Sequence, residues 1–268
     1  MIREPVLVFD IETVPDTDTG RRLLGLDGLD DAAVLQAMAA QRQQARGNDF
    51  QPAHLHRVVA ISIALRRHDE FRVLSLGGEQ DGEAELVRQF FGGIDKYRPV
   101  LVSWNGSGFD LPVLHYRALK HSIAAPRYWA TDGDAKWDNY LGRYQFRHTD
   151  LMDVLALYQA RSYAPLHEMA VLLGLPGKLG MDGSQVSGAF QAGKLAEIRA
   201  YCETDVLNTW LIYLRFLLMR GQLDAAGHEA ELARARAFLQ NNSAAHWKEF
   251  LGAWRNWGQS TVSPGPVT

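Results

Sequence analysis

The chain has 268 residues, 47% of them hydrophobic, and carries 28 Lys and Arg against 31 Asp and Glu for a net charge of -3. That apolar content suits a full-sized globular core, and the charge balance excludes a uniformly basic nucleic-acid binder while leaving room for a local basic groove. The single cysteine, Cys202, excludes an intramolecular disulfide and a multi-cysteine zinc site and fits a reducing cytoplasm.

The N-terminus, MIREPVLVFDIE, turns acidic too early for the apolar core of a signal peptide. No charge-free apolar run reaches the roughly 18 residues that would suggest a membrane span. Residues 5–12 form a β-branched and aromatic run that reads as a buried strand. Residues 30–47, rich in Ala and Gln, read as a helix capped by Asp30 or Asp31. Two strands follow at 57–67 and 70–77, joined by a polar hairpin turn. DGEAELVRQFFGGI reads as an amphipathic helix, 99–105 as another buried strand, and FDLPVLHYRALKH as a helix that tolerates Pro112 near its first turn. Residues 121–147 are irregular and rich in Arg, Trp and Tyr, the kind of long connection that usually has a function. HTDLMDVLALY reads as a strand end running into a helix, and PLHEMAVLLGLPG as a helix with a glycine stop. After a polar loop at 177–188 comes a long apolar helix containing AYCETDVLNTWLIYLRFLLM. Residues 221–268 read as two amphipathic helices and a disordered tail, SPGPVT. The order implies a mixed α/β sheet with helices on its faces.

Several acids in this pattern invite a reason. Asp10 and Glu12 lie at i and i+2 of a strand and so share a face. Two adjacent carboxylates repel unless a cation lies between them, and a hard divalent ion resolves the conflict; two hydrated acids at a strand end are an equally good account. Asp110, in NGSGFDLPVL, opens a helix, where a capping role is the plainer reading. Tyr201 and Asp205 lie at i and i+4 on one helix face. A tyrosine at a core edge and an acid complementing the helix dipole would explain them without a site.

Taken together and in order, these segments are similar to the DEDD superfamily of 3′-5′ exonucleases, in its tyrosine-bearing branch. The three motifs stand as FDIET (Asp10, Glu12), NGSGFD (Asn105, Phe109, Asp110) and YCETD (Tyr201, Asp205). The sister branch has His five residues before the last Asp, where this chain has Ala200. SWNGSGFDLPVL and HTDLMDVL most resemble the predicted exonucleases related to the proofreading domain of family-B DNA polymerases, over roughly residues 5–218. The resemblance implies a ribonuclease H-like fold, α/β with a mixed five-stranded sheet of order 3-2-1-4-5 and strand two antiparallel. The fifth strand is expected near Arg143 to His148. It also implies a domain at 1–220 with a helical extension at 221–268.

The activity so implied is hydrolysis of phosphodiester bonds at the 3′ end of single-stranded DNA, with RNA as the other candidate substrate, in a DNA repair or proofreading context. Two Mg²⁺ or Mn²⁺ ions would be held by Asp10, Glu12, Asp110 and Asp205, and Tyr201 would orient the attacking water. Thr13 and Val14 would grip the 3′-terminal nucleotide, and Asn105 and Phe109 would contact the sugar and stack on a base, although core packing is the plainer account of Phe109. A module that keeps the fold without turnover, or a subunit docking a protein partner through residues 221–268, is the competing reading. The Trp and Phe residues of that extension, Phe238, Trp247, Phe250, Trp254 and Trp257, also suit packing on the core.

Other features carry less. The segment 127–147 interleaves Arg127, Lys136, Arg143 and Arg147 with Tyr128, Trp129, Trp137, Tyr140, Tyr144 and Phe146, a mixture suited to single-stranded nucleic acid or to a packed surface loop. His54 and His56 lack a third ligand. His148, Asp150 and Asp153 are better explained by Asp150 capping a helix. Cys202 is expected to face the core, and Glu203 to point away from the Tyr201–Asp205 face.

Overall fold

The computed structural model describes residues 2–260, with side chains as far as Trp254. Strand β1 runs Val6–Pro15, followed by helices α1 (Thr17–Leu24) and α2 (Asp31–Arg46). Strands β2 (His56–Arg67) and β3 (Glu70–Ser75) form the hairpin, then α3 (Glu83–Tyr97), β4 (Val100–Ser103) and α4 (Asp110–Lys120). Beyond the long connection lie β5 (His148–Asp150), α5 (Leu151–Leu155), α6 (Leu166–Leu172), α7 (Val186–Gln191) and the long α8 (Leu195–Met219). Helices α9 (Ala225–Asn241) and α10 (Ala245–Ser260) close the chain.

The five strands lie in the order β3-β2-β1-β4-β5. Strand β2 is antiparallel to both β1 and β3, while β1, β4 and β5 are parallel. Alternation along β1 sorts its side chains between two cores. Leu7, Phe9 and Ile11 join Phe90, Phe91 and Leu114 of α3 and α4. Val6 and Val8 face the other way, into a cluster with Leu207, Trp210 and Leu214 of α8. Asp10 and Glu12 continue this second face, so α8 passes over them. A bulge between Glu12 and Thr13 shifts the register at that point, where bulges re-aim side chains.

The expected elements are present, with four differences, the first being the short α7, which begins within the expected polar loop. Strand β1 continues to Pro15, which places Thr13 and Val14 inside it. Helix α1 has no counterpart in the apolar pattern; Asp16 caps it, accepting from Thr19 N. The fifth strand is His148–Asp150, downstream of the expected 143–148 stretch. It is short because Asp150 already serves as N-cap of α5, accepting from Met152 N and Asp153 N.

Helices α9 and α10 pack on α8 and the sheet. Trp247, Phe250 and Trp254 enter the cluster around Trp210, and Phe71 of β3 packs edge-on to Phe238 of α9. A buried ion pair joins Arg66 of β2 to Glu231 of α9 through two bonds of 2.7 and 2.8 Å. The side chain of Trp257 and the tail at 263–268 lie outside what the structure describes.

Candidate active site

Strand β1, the start of α4 and the second and third turns of α8 meet where the parallel strands end. Asp10 and Glu12 present their carboxylates toward α8, with Asp10 partly buried and Glu12 buried. Asp110 is the first residue of α4 rather than its cap. Its carboxylate reaches across to β1, where Oδ1 accepts from Ile11 N at 3.2 Å. Tyr201 and Asp205 stack one turn apart on α8, both about 5% exposed.

The electrostatics of this arrangement are costly. Burial pushes Asp10 well above the usual carboxylate range, and Asp110 and Asp205 add to it. Glu12 is raised by burial and then by Asp10, Asp205 and Asp110. Burial takes Asp110 up to about 7 and Asp205 up to about 6. Such mutual perturbation of desolvated carboxylates is a mark of functional sites. Asp205 Oδ1 is buried without a hydrogen-bond partner, although buried carboxylate oxygens are normally satisfied. An oxygen donor with no partner, beside repelling carboxylates, suits a hard divalent cation. Among the described residues the tightest set is Asp10, Glu12 and Cys202, with donor atoms within 4.8 Å of one another. Neither Asp110 nor Asp205 joins a set that tight.

Cys202 is buried as expected, and its thiol also meets the site. That thiol sits 3.4 Å from both Asp10 O and Asp10 Oδ2. Burial, with Asp10 and Glu12 nearby, pushes the thiol well up, so it remains protonated and donates to Asp10. The position next to Tyr201 was visible in the sequence; the face was not, since a buried helix has apolar neighbours all round.

Lys178 is the residue that the sequence pattern missed. It carries the positive charge that lowers Asp10, Glu12 and Asp205 against burial, and its Nζ lies 5.4 Å from the Tyr201 ring centroid. Its loop is clamped by Asn208, three residues past Asp205 on α8. Gly177 N donates to Asn208 Oδ1 (3.2 Å), and Asn208 Nδ2 donates to Gly177 O (2.9 Å). Gly177 has φ +67, and a Cβ there would meet His167 Nδ1 at 2.5 Å, so only glycine fits. A fully buried amide inside an apolar helix was the available signal.

The expected substrate contacts divide. Val14 is buried in a small cluster with Val59, Ile198 and Tyr201. His56 Nε2 lies 3.0 Å from the Gln51 carbonyl and so must donate there, which leaves Nδ1 to accept from Thr13 Oγ1 at 2.8 Å. The Thr13 hydroxyl proton is therefore committed to His56. This pairing also explains His56 without a metal. Phe109 is partly buried between the rings of His56 and Phe50. Asn105 adopts φ +64, and its turn is held by Asp150, whose two oxygens accept from Asn105 N (2.9 Å) and Ser107 N (2.8 Å). Asp150 thus caps α5 and shapes the second motif together. Glu203 turns away, accepting from Ser75 N and pairing with His246 of α10.

The aromatic-basic segment is split. Tyr128 and Tyr140 are buried and stacked, and Arg147 is held by Asp138 and Glu4. Trp137 and Tyr144 remain exposed. Tyr128, Tyr140 and Arg143 line a cavity of about 460 Å³ together with Asn105, Ser107 and Gly108. Tyr201 borders a second opening, of about 520 Å³, between α8, α10 and the loop after Lys178.

Two comparisons bear on this geometry. The family B DNA polymerase from the hyperthermophilic archaeon Pyrobaculum calidifontis has a similar fold, with TM-score 0.52 and 18% identity over 81% of this chain. The likeness spans 25% of that polymerase. Residues 48–254 match a sequence family, a stretch that holds Asn105, Asp110, Lys178, Tyr201 and Asp205 and begins after Asp10 and Glu12. The chain belongs to the family of predicted 3′-5′ exonucleases related to the exonuclease domain of PolB.

Proposed function

We propose that the protein is a metal-dependent exonuclease that removes nucleotides from the 3′ end of single-stranded nucleic acid, with DNA the favoured substrate. The observation that carries this reading is the set of four mutually destabilising carboxylates, one with an unpartnered buried oxygen, at the end of the parallel strands. Asp10, Glu12 and Asp205 would hold Mg²⁺ or Mn²⁺, and Asp110 would support a second ion. When bound, the pair of cations offsets the charge that develops on the attacking and leaving oxygens of the phosphodiester.

The chain's own groups supply the rest. Burial, then Asp205, Glu12 and Asp10, push the Tyr201 phenol far above its ordinary value, so it stays protonated. It therefore orients a water molecule as a donor and does not act as a base. Lys178 offsets excess negative charge next to that phenol. Cys202 donates to Asp10 and fixes the carboxylate's direction. The turn at Asn105–Gly108, braced by Asp150, and the ring of Phe109 would bear on the strand end.

The test is hydrolysis of matched single-stranded DNA and RNA oligonucleotides with Mg²⁺ or Mn²⁺, each with a free or a chemically blocked 3′ end. Release of mononucleotides from free 3′ ends, faster on DNA, is expected. Cleavage indifferent to the 3′ block would point to an endonuclease instead.

A further inference from the structure

Phe50 is an apolar ring held in the open. It is 58% exposed, and a lone exposed ring would be unremarked on any protein surface. Its support is unusual. Three successive carbonyls, of Asp49, Phe50 and Gln51, each accept a hydrogen bond from a side chain: Gln51 Nε2 at 2.9 Å, Arg42 Nε at 2.9 Å and His56 Nε2 at 3.0 Å. Gln51 Nε2 also donates to Met38 O of α2 at 3.2 Å. Gln51 and His56 are 5% and 4% exposed, so the segment is pinned from inside while its one large apolar side chain is left out.

The inner face of the ring is occupied. Phe50 lies 5.5 Å from the Phe109 ring centroid and 5.0 Å from that of His56, and those two rings meet edge to face at 5.0 Å. Each support adjoins a carboxylate of the site. Phe109 directly precedes Asp110, and His56 receives the hydroxyl of Thr13, which directly follows Glu12. The outermost ring of this stack is thus more than half exposed and rests on two rings tied through the chain and Thr13 to Asp110 and Glu12.

We infer that Phe50 is a base-stacking platform that receives an unpaired nucleobase within the last two nucleotides of the strand. This rests on the exonuclease reading above for the direction of the strand. Stacking on a π-face is indifferent to base identity and requires a base free of its own partner, so Phe50 would favour single-stranded ends over paired ones without reading sequence. Burial of His56 lowers its pKa and keeps that ring neutral, so the cation beside Phe50 is Arg42, held by the Phe50 carbonyl.

Binding measured by anisotropy of a fluorescent single-stranded oligonucleotide needs no turnover and can be read beside hydrolysis. Phe50→Ala is expected to weaken binding, and to raise KM, by about 5- to 150-fold, with kcat and the melting temperature little changed. Phe50→Trp should restore both. An abasic site at one of the last two positions should weaken wild-type binding by the same factor and make Phe50→Ala indistinguishable from wild type. A loss that persists with abasic sites at both positions overturns the inference, as does unchanged binding by Phe50→Ala or failure of the wild type to bind the strand. Base-dependent binding through Phe50 without hydrolysis would support the platform and sink the exonuclease reading alone.

Discussion

At the scale of single residues, the site is held in tension that the fold tolerates. Asp110 and Asp205 bind their protons more tightly in the folded chain than in the unfolded one, with values raised from 3.8 to about 7 and about 6. Between about pH 4 and pH 7 the folded state therefore carries the extra protons, and stability of the metal-free protein should fall as pH rises through that window. Asp205→Asn removes one buried charge and is expected to stabilise the metal-free protein at pH 8 by on the order of 2–3 kcal/mol, while abolishing hydrolysis. A denaturant titration in chelator at pH 5 and pH 8 checks both signs; equal stability at the two pH values in the wild type would contradict the account. Adding Mn²⁺ should stabilise the wild type more at pH 8 than at pH 5, because the ion binds deprotonated carboxylates. Tyr201→Phe keeps the ring and deletes the donor, so kcat should fall by about 10²-fold with KM nearly unchanged; an equal rise in KM would mean that the hydroxyl binds the strand. That Asp10, Glu12, Asp110, Tyr201 and Asp205 belong together was proposed from the sequence through the family resemblance, since each alone had a plain structural explanation. Lys178 and Cys202 were not legible, because a lysine in a polar loop and a cysteine in an apolar helix are ordinary until the fold brings them against the carboxylates.

At the scale of elements, α8 organises the molecule. It covers one face of the sheet, supplies Tyr201 and Asp205, and through Asn208 clamps the loop that carries Lys178. Its period-3.6 apolar pattern and its polar first turns were readable in advance, because both are local features of the sequence. Strand β5 and α1 were less readable: β5 is three residues long and ends in a capping residue, and α1 is short with a mostly polar surface, so neither leaves a periodic trace. Helix α9 is joined to the sheet by the Arg66–Glu231 pair, and removing one partner leaves a buried charge alone. Glu231→Ala should therefore cost about 3–5 kcal/mol of stability, and Arg66→Met combined with Glu231→Leu should recover most of it. Denaturant midpoints for the two variants decide the matter; no loss in Glu231→Ala would show that Arg66 finds water or another partner.

At the scale of the whole molecule, five strands in the order β3-β2-β1-β4-β5 bring three chain segments, some ninety to two hundred residues apart in sequence, to one end of the sheet. The mixed sheet could be expected from a hairpin followed by strand-helix units, whereas the strand order was expected only through the resemblance to the exonuclease family. The packing of α9 and α10 around Trp247 and Phe250 could not be settled from sequence, since aromatic helices suit a core and a docking surface equally. The central claim is that Asp10, Glu12, Asp110 and Asp205 form a metal site that serves 3′-end hydrolysis. Its most direct test is a 5′-labelled single-stranded oligonucleotide incubated with Mn²⁺ and either wild type or Asp10→Ala, with products resolved by length over time. The account predicts a ladder that shortens one nucleotide at a time from the 3′ end in the wild type, slowed about a thousandfold in Asp10→Ala as charge stabilisation of several kcal/mol is lost. An intact oligonucleotide in the wild type, or the same ladder from Asp10→Ala, would contradict it.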